Sequence, residues 1–123
     1  MKATLAPGIS REKDVTITPE MGVSHLGTKG GLLSTPYMIG LMEYTCAESV
    51  TPHLDAHEQT VGTMVHVWHR NAVKTGAVVR CGSKLLEVDR RKLLFEVKVM
   101  FGDLVVGEGT HERFVIDMRK FNA

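Results

Sequence analysis

The second half of this 123-residue chain alternates apolar and polar residues almost without pause. That pattern limits the possible folds more than any other feature. "QTVGTMVHVWHRN" (59–71), "GAVVRCGSKLLEVD" (76–89), "KLLFEVKVMFG" (92–102) and "LVVGEGTHERFVID" (104–117) favour Val, Phe and Thr at a period of two, which reads as β-strand. The breaks between them, "AVKTG", "DRRK" and "GD", are short, and short breaks join antiparallel neighbours. The expected sheet is a meander of these four long strands, preceded by one short strand, "DVTIT" (14–18).

Between the short strand and the meander lies one helical pattern. "TPYMIGLMEYTCAESVTPHL" (35–54) carries an apolar stripe at 38, 41, 42, 45, 46 and 49, which is helical spacing. Ser34 or Thr35 can cap it, Pro36 suits the first helical position, and Pro52 marks its end. Residues 19–34 hold four glycines and no clear period, so they read as a long loop of the kind that often carries function. One helix and one antiparallel sheet have few ways to pack, because the sheet must lay its apolar face on the helix. The fold class is therefore α+β, one domain over 1–123 in the hot-dog arrangement: a central helix wrapped by a curved antiparallel sheet. A single helix cannot cover strands this long. Uncovered apolar positions and edge strands favour a homodimer, or a tetramer built from it, with pairing across sheets.

Composition closes off other classes. At 43% hydrophobic and 24% charged the chain is ordinary for a globular domain. No apolar run reaches the roughly 18 residues of a membrane span, and "MKATLAPGISREKD" lacks the apolar stretch of a signal peptide. Cys46 and Cys81 fall inside expected elements and fit reduced thiols better than a disulfide, so the cytoplasm is the expected compartment. A net charge of +1, with no helix-turn-helix, zinc finger or RNA-binding strand motif, argues against nucleic acid as a partner. The charge is uneven, however. Arg70, Lys74, Arg80, Lys84, Arg90, Arg91 and Lys92 oppose only Glu87 and Asp89, giving that segment +5. It is either a solvated sheet face or a phosphate-binding rim.

Four residues could carry chemistry. Glu43 stands in the most apolar helix, with Pro36, Gly40 and Ala47 on its own face. Glycine costs about 1 kcal/mol in a helix interior, so Gly40 implies close approach of another backbone or a ligand. A solvated edge glutamate is the bland reading; a partly dehydrated carboxylate serving as general base or nucleophile is the sharper one. His69 ends the first long strand. His66, three residues earlier, points to the opposite face, so the two make a poor metal pair and no metal site is expected. The Thr35 hydroxyl can cap the helix or meet an anion or polarised carbonyl there. Gly62 interrupts a strand, which suggests a bulge or a close ligand. Gly62 and His69 are seven residues apart and would face opposite ways on a regular strand. Either a bulge lies between them or they serve different active sites of a dimer; a shared site is favoured. His25, His53 and His57 read as loop residues, and His111 in "GTHERF" as a buried, hydrogen-bonded one.

"GLMEYTC", "VGTMVHVWH", "GTHERFVID" and the terminal "KFNA" resemble the fluoroacetyl-CoA thioesterase group of hot-dog proteins, from about residue 14 to the end. The resemblance implies an acyl-CoA thioester hydrolase with Thr35, Glu43 and His69 as catalytic residues and the Gly62 amide facing the thioester carbonyl. Glu43 would attack the carbonyl to give a mixed anhydride, or activate water. His69 would donate or relay a proton, and Thr35 would orient Glu43 or the water. Arg70, Lys74, Arg90 and Arg91 become partners for the coenzyme A phosphates. No separate cofactor is implied, since coenzyme A arrives as part of the small-molecule substrate. The family's phenylalanine-rich lid is absent: "SHLGTKGGLLST" has Leu26 and Lys29 at the corresponding places, so a general short-chain acyl-CoA thioesterase is expected rather than a fluoroacetyl specialist. The alternative of another class is a non-catalytic acyl-CoA binder or sensor. A hydratase would need an Asp and a His close together on one loop–helix segment; the nearest match, His53 to His57 around Asp55, comes after the helix.

Overall fold

The computed structural model describes residues 1–23 and 31–121. The chain runs through β1 (Ser10–Thr16), α1 (Thr35–Val50), β2 (Glu58–His69), β3 (Val78–Asp89), β4 (Lys92–Phe101) and β5 (Leu104–Asp117), with short 3-10 turns at Pro19–Met21, Thr51–His53 and Met118–Lys120. All the expected elements are present. β1 differs in its limits, beginning at Ser10 and ending at Thr16. Its first half, "SREKD", has no apolar alternation. It is a strand because Ser10 to Asp14 pair with Lys84 to Arg80 on β3, so tertiary pairing overrides local preference.

The strands form one antiparallel sheet in the order β1-β3-β4-β5-β2. This corrects the four-strand meander. Only β3, β4 and β5 follow one another as hairpins, while β2 sits at the far edge beside β5 and does not touch β3. The "AVKTG" break belongs to a crossover, not a hairpin. Residues 70–77 can span about 26 Å when extended, more than the roughly 14 Å of three strand spacings. The crossover passes the start of α1: the Leu33 N–H donates to the Val73 carbonyl (2.9 Å), Leu32 bridges to Lys74, and Val73 is buried.

One face of the sheet closes on α1. Met38, Met42, Cys46 and Val50 from the helix pack with Val79, Cys81 and Leu85 of β3, Phe95, Val97 and Val99 of β4, and Val106 and Val115 of β5. The helix polar groups on that face are satisfied locally: the Thr45 hydroxyl donates to the Leu41 carbonyl (2.7 Å) and Ser49 to that of Cys46 (2.6 Å). Both cysteines are free and buried, as expected of reduced thiols, and burial pushes the Cys46 thiol up to about 12. At the helix start a Cβ on Gly107 would overlap the Met38 thioether. The bare glycine lets the first turn of α1 settle directly on β5, next to the end of β2.

Candidate active site

That close seating places one pair of the expected residues together. The Ser34 hydroxyl accepts from the Tyr37 N–H (3.3 Å), so Ser34 is the cap, and Pro36 takes the second helical position. Thr35, the first helical residue, is released from capping, and its Oγ1 lies 2.8 Å from Nδ1 of His69. His69 pairs with Gly107 and therefore faces the helix side. Its second ring nitrogen, Nε2, is buried with no hydrogen-bond partner among the described residues. Native interiors rarely leave such an atom unmatched.

A second group forms further along α1. Glu43 is half-buried there. Eight positions along the helix, about 12 Å of rise, lie between it and Thr35, and among the described residues no hydrogen bond joins Glu43 to Thr35 or His69. Gly40, beside Glu43, has no atom near the place of a Cβ among the described residues. Gly62 lies in a β-bulge: it pairs with Arg113, Met64 pairs with Glu112, and Thr63 is the extra residue. The bulge restores the phase, so Gly62, Val65, Val67 and His69 all face the helix side, opposite Arg113, His111, Gly109 and Gly107. A bulge therefore lies between Gly62 and His69, and the two face the same side of the sheet.

Beneath Gly62 lie two residues of β5. His111, expected to be buried and hydrogen-bonded, is so: it is 1% exposed, and its Nδ1 is 2.8 Å from the Met64 carbonyl. Burial lowers its pKa, and the Arg113 charge adds to that. Arg113 is 8% exposed, and its guanidinium is pulled down by burial while the Glu43 charge opposes that shift. Reading motifs missed Arg113. The period-two phase it shares with His111 and Val115 was the available signal.

The basic residues do not form one rim in one chain. Arg70, just after β2, bonds Glu108 (2.7 Å) and lies over the Trp68 ring (5.3 Å), whose other neighbour is His66. Lys74 is exposed in the crossover at the same end. Arg90 and Arg91 are at the β3–β4 turn, at the opposite end of the sheet. Arg90 extends into solvent, while Arg91 is held near Glu58 (3.6 Å) and the Val115 carbonyl. A groove of about 280 Å³ lined by Glu12, Arg80, Lys84, Glu96 and Lys98 is on the outer face of the sheet, away from Glu43, and mixes charges of both signs. Asp55, His57 and Glu58 bring possible ligand atoms within 4.8 Å of one another, but the Met1 ammonium already bonds Asp55 (2.6 Å) and Glu58. These residues lie beyond the C-terminal end of α1, so the hydratase-like arrangement has no counterpart beside Thr35 and His69. His25, Leu26 and Lys29 lie outside the described residues.

A family profile described as fluoroacetyl-CoA-specific thioesterase matches residues 15–119. The fluoroacetyl-CoA thioesterase of Streptantibioticus cattleyicolor is 33% identical over 130 aligned positions, covering 100% of this chain and 94% of that one. A solved threonine-to-serine variant of a fluoroacetyl-CoA thioesterase, in complex with acetyl-CoA, is similar at TM-score 0.89 and 31% identity over 96% of this chain and 94% of that one. A hot-dog-like protein from Thermanaerovibrio acidaminovorans, 17% identical, gives a TM-score of 0.85 over 94% of this chain and 86% of its own, a likeness of fold alone. The helix wrapped by a five-strand antiparallel sheet is a hot-dog fold.

Proposed function

The chain belongs to the fluoroacetyl-CoA-specific thioesterase family, an acyl-CoA thioester hydrolase group, and we propose that it hydrolyses short-chain acyl-CoAs with Glu43 as nucleophile or general base. The observation that carries the reading is the 2.8 Å contact between Thr35 and His69, with the far nitrogen of that imidazole buried and unmatched among the described residues. It is the arrangement expected of a proton donor that awaits its substrate.

A homodimer through β2 completes the site in this reading. β2 is an edge strand of 12 residues with Val61, Val65 and Trp68 exposed along it. Antiparallel pairing of two β2 strands must match inward with inward positions. A two-fold axis through His66 satisfies this, bulges included, and sets Gly62 opposite the partner's His69. The Thr35–His69 pair of one protomer then meets the Glu43–Gly62 group of the other. The same antiparallel arrangement brings Arg70 and Lys74 of one protomer to the end that carries Arg90 and Arg91 of its partner. The phosphate rim is thereby shared between subunits.

The chemistry follows from this placement. Water, or the Glu43 carboxylate itself, adds to the thioester carbonyl carbon. The resulting oxyanion accepts a hydrogen bond from the Gly62 N–H, a contact typically worth ~2.7–4 kcal/mol. The C–S bond breaks, and the departing thiolate of coenzyme A takes a proton from His69. In the water route Glu43 accepts the proton that water gives up. In the covalent route water then opens the anhydride, its proton going to the imidazole of His69, and the carboxylate returns. Thr35 holds the imidazole in its working orientation.

The test is free-thiol release from a panel that includes acetyl-CoA, longer acyl-CoAs and fluoroacetyl-CoA, comparing wild type with Glu43→Ala. Turnover that vanishes in a folded variant still able to bind coenzyme A supports the reading and ranks the substrates. Binding of acyl-CoA without turnover by wild type sinks it and leaves the non-catalytic binder. Single turnover in ¹⁸O water then identifies the covalent route if a Glu43 oxygen enters the product, as it does when water attacks the Glu43 carbonyl of the anhydride.

A further inference from the structure

We propose that His111 and Arg113 are positioning residues for thioester hydrolysis, clamping the β-bulge at Gly62–Met64 so that Gly62 meets the substrate carbonyl in a fixed place. The inference rests on the thioesterase reading and adds to it a device that the motifs did not disclose.

A bulge on an edge strand is a soft spot. The extra residue has no ladder partner, and β2 has a neighbouring strand on one side only within the chain. Yet an amide that stabilises an oxyanion must be held in place before the reaction. Two side chains from β5 reach across to do this. The Arg113 Nε donates to Thr60 Oγ1 (2.7 Å) and its Nη2 to the Thr60 carbonyl (2.8 Å). Its Nη1 lies 3.1 Å from His111 Nε2. The His111 Nδ1, in turn, is 2.8 Å from the Met64 carbonyl. One unbroken path therefore runs from Thr60 to Met64, straddling Gly62 and the extra residue.

The protons on this path are determined by chemistry. A guanidinium can only donate, so His111 Nε2 must accept. The imidazole is then neutral with its proton on Nδ1, and that proton goes to the Met64 carbonyl. Burial and the adjacent cation both favour the same neutral form. The His111 ring also fills the space under the glycine: a Cβ on Gly62 would come 3.2 Å from His111 Cε1 and 3.6 Å from Arg113 Nη1. None of the Arg113 hydrogen bonds goes to a carboxylate. An apolar residue of similar size would fill this space without the cost of burying a charge. What the guanidinium adds is a fork rigid enough to hold Thr60 and His111 at once.

The experiment uses the full chain with acetyl-CoA, steady-state kinetics, and amide hydrogen exchange resolved to β2. His111→Ala and Arg113→Met are each expected to lower kcat about 100-fold, the scale of a lost oxyanion donor, with KM within about twofold of wild type. His111→Asn keeps a donor near the Nδ1 position and is expected to recover about tenfold of that loss. Exchange at residues 62–64 should rise at least tenfold in the alanine variant, while β3 and β4 stay protected. A folded His111→Ala that turns over within twofold of wild type, or that leaves exchange at the bulge unchanged, overturns the proposal. If Arg113→Met does not fold, the two His111 variants decide the matter. A wild-type protein without thioesterase activity would defeat the functional reading, and the exchange measurement would still judge the clamp.

Discussion

The two edges of the sheet are built on opposite plans. β1 is seven residues long, and Lys13 points inward, where it bonds Glu48 of α1, with Arg11 close by. Its outward Asp14 is matched by Arg80 of the neighbouring strand (3.0 Å). Short length and inward charge are the usual means of keeping an edge from pairing with another chain. β2 has neither. It is 12 residues long, and its inward row of Gly62, Val65 and Val67 carries no charge until His69. The contrast separates an edge closed to pairing from one that is open to it. Every site residue on a strand belongs to the second edge or to β5 beside it.

The largest effect should come from making β2 resemble β1. Val65→Lys places an inward charge on the open edge, as Lys13 does on β1. Sedimentation is expected to show a monomer, and turnover should fall about a thousand-fold, as when a member of a catalytic set is removed. Lys13→Ala, at the closed edge, should leave both unchanged. A Val65→Lys protein that remains dimeric and active would break the comparison. Next in size is a test of register. His66→Cys puts a thiol at the proposed two-fold axis, where directly opposed Cα atoms lie about 4.5–5.5 Å apart, within disulfide range. Mild oxidation should convert most of the protein to a covalent dimer that retains activity. Cys46 and Cys81 do not compete, because both are buried. A cysteine introduced at Asp14 should stay uncoupled.

A smaller effect is expected at the junction between helix and edge. Gly107→Ala pushes a methyl group into Met38, an overpacking that costs about 1–3 kcal/mol. Urea unfolding measures the cost. Because the same contact seats Thr35 against His69, kcat should drop more than stability alone explains. Equal kcat in the variant would mean that the seat is not set by Met38.

How much of this was legible depends on what kind of information each feature carries. Alternation in "VVRCGSKLLEVD" announces a strand with one buried row, and Val79, Cys81, Ser83 and Leu85 form that row. Alternation does not say which strand lies beside which. For that reason the segment through Val73 reads as a hairpin that would set β2 beside β3, whereas it is a crossover and β2 lies beside β5. "TVGT" signalled a disturbance at Gly62, but the residue that completes the bulge is Thr63, and only pairing with Glu112 reveals it. Thr35, Glu43 and His69 were named from their setting and from resemblance. That Thr35 and His69 come into contact was not legible, because it depends on where the end of β2 lies against the start of α1. The +5 segment misled in the same way: adjacent in sequence, its charges are split between opposite ends of the sheet.

The two edges should also differ in how they respond to acid, and this is the gentlest of the tests. The folded chain holds His111 below its ordinary imidazole value, first by burial and then through Arg113, although the charges of Glu43 and Glu112 and the Met64 hydrogen bond pull the other way. As pH falls through about 6.5, the unfolded chain takes up this proton first, and stability declines from there until the folded imidazole also titrates. The carboxylates of the closed edge act lower on the scale. Asp14 is held down by its hydrogen bond to Arg80, and Glu48 by its bond to Lys13. Their contribution is present above the ordinary carboxylate range and is lost as pH falls through their depressed folded values. Urea midpoints taken from pH 7.5 to 3 should therefore show an upper slope that flattens in His111→Asn and a lower one that flattens in Asp14→Asn. If His111→Asn keeps the upper slope unchanged, another histidine is responsible, and His111 does not remain neutral beneath the bulge.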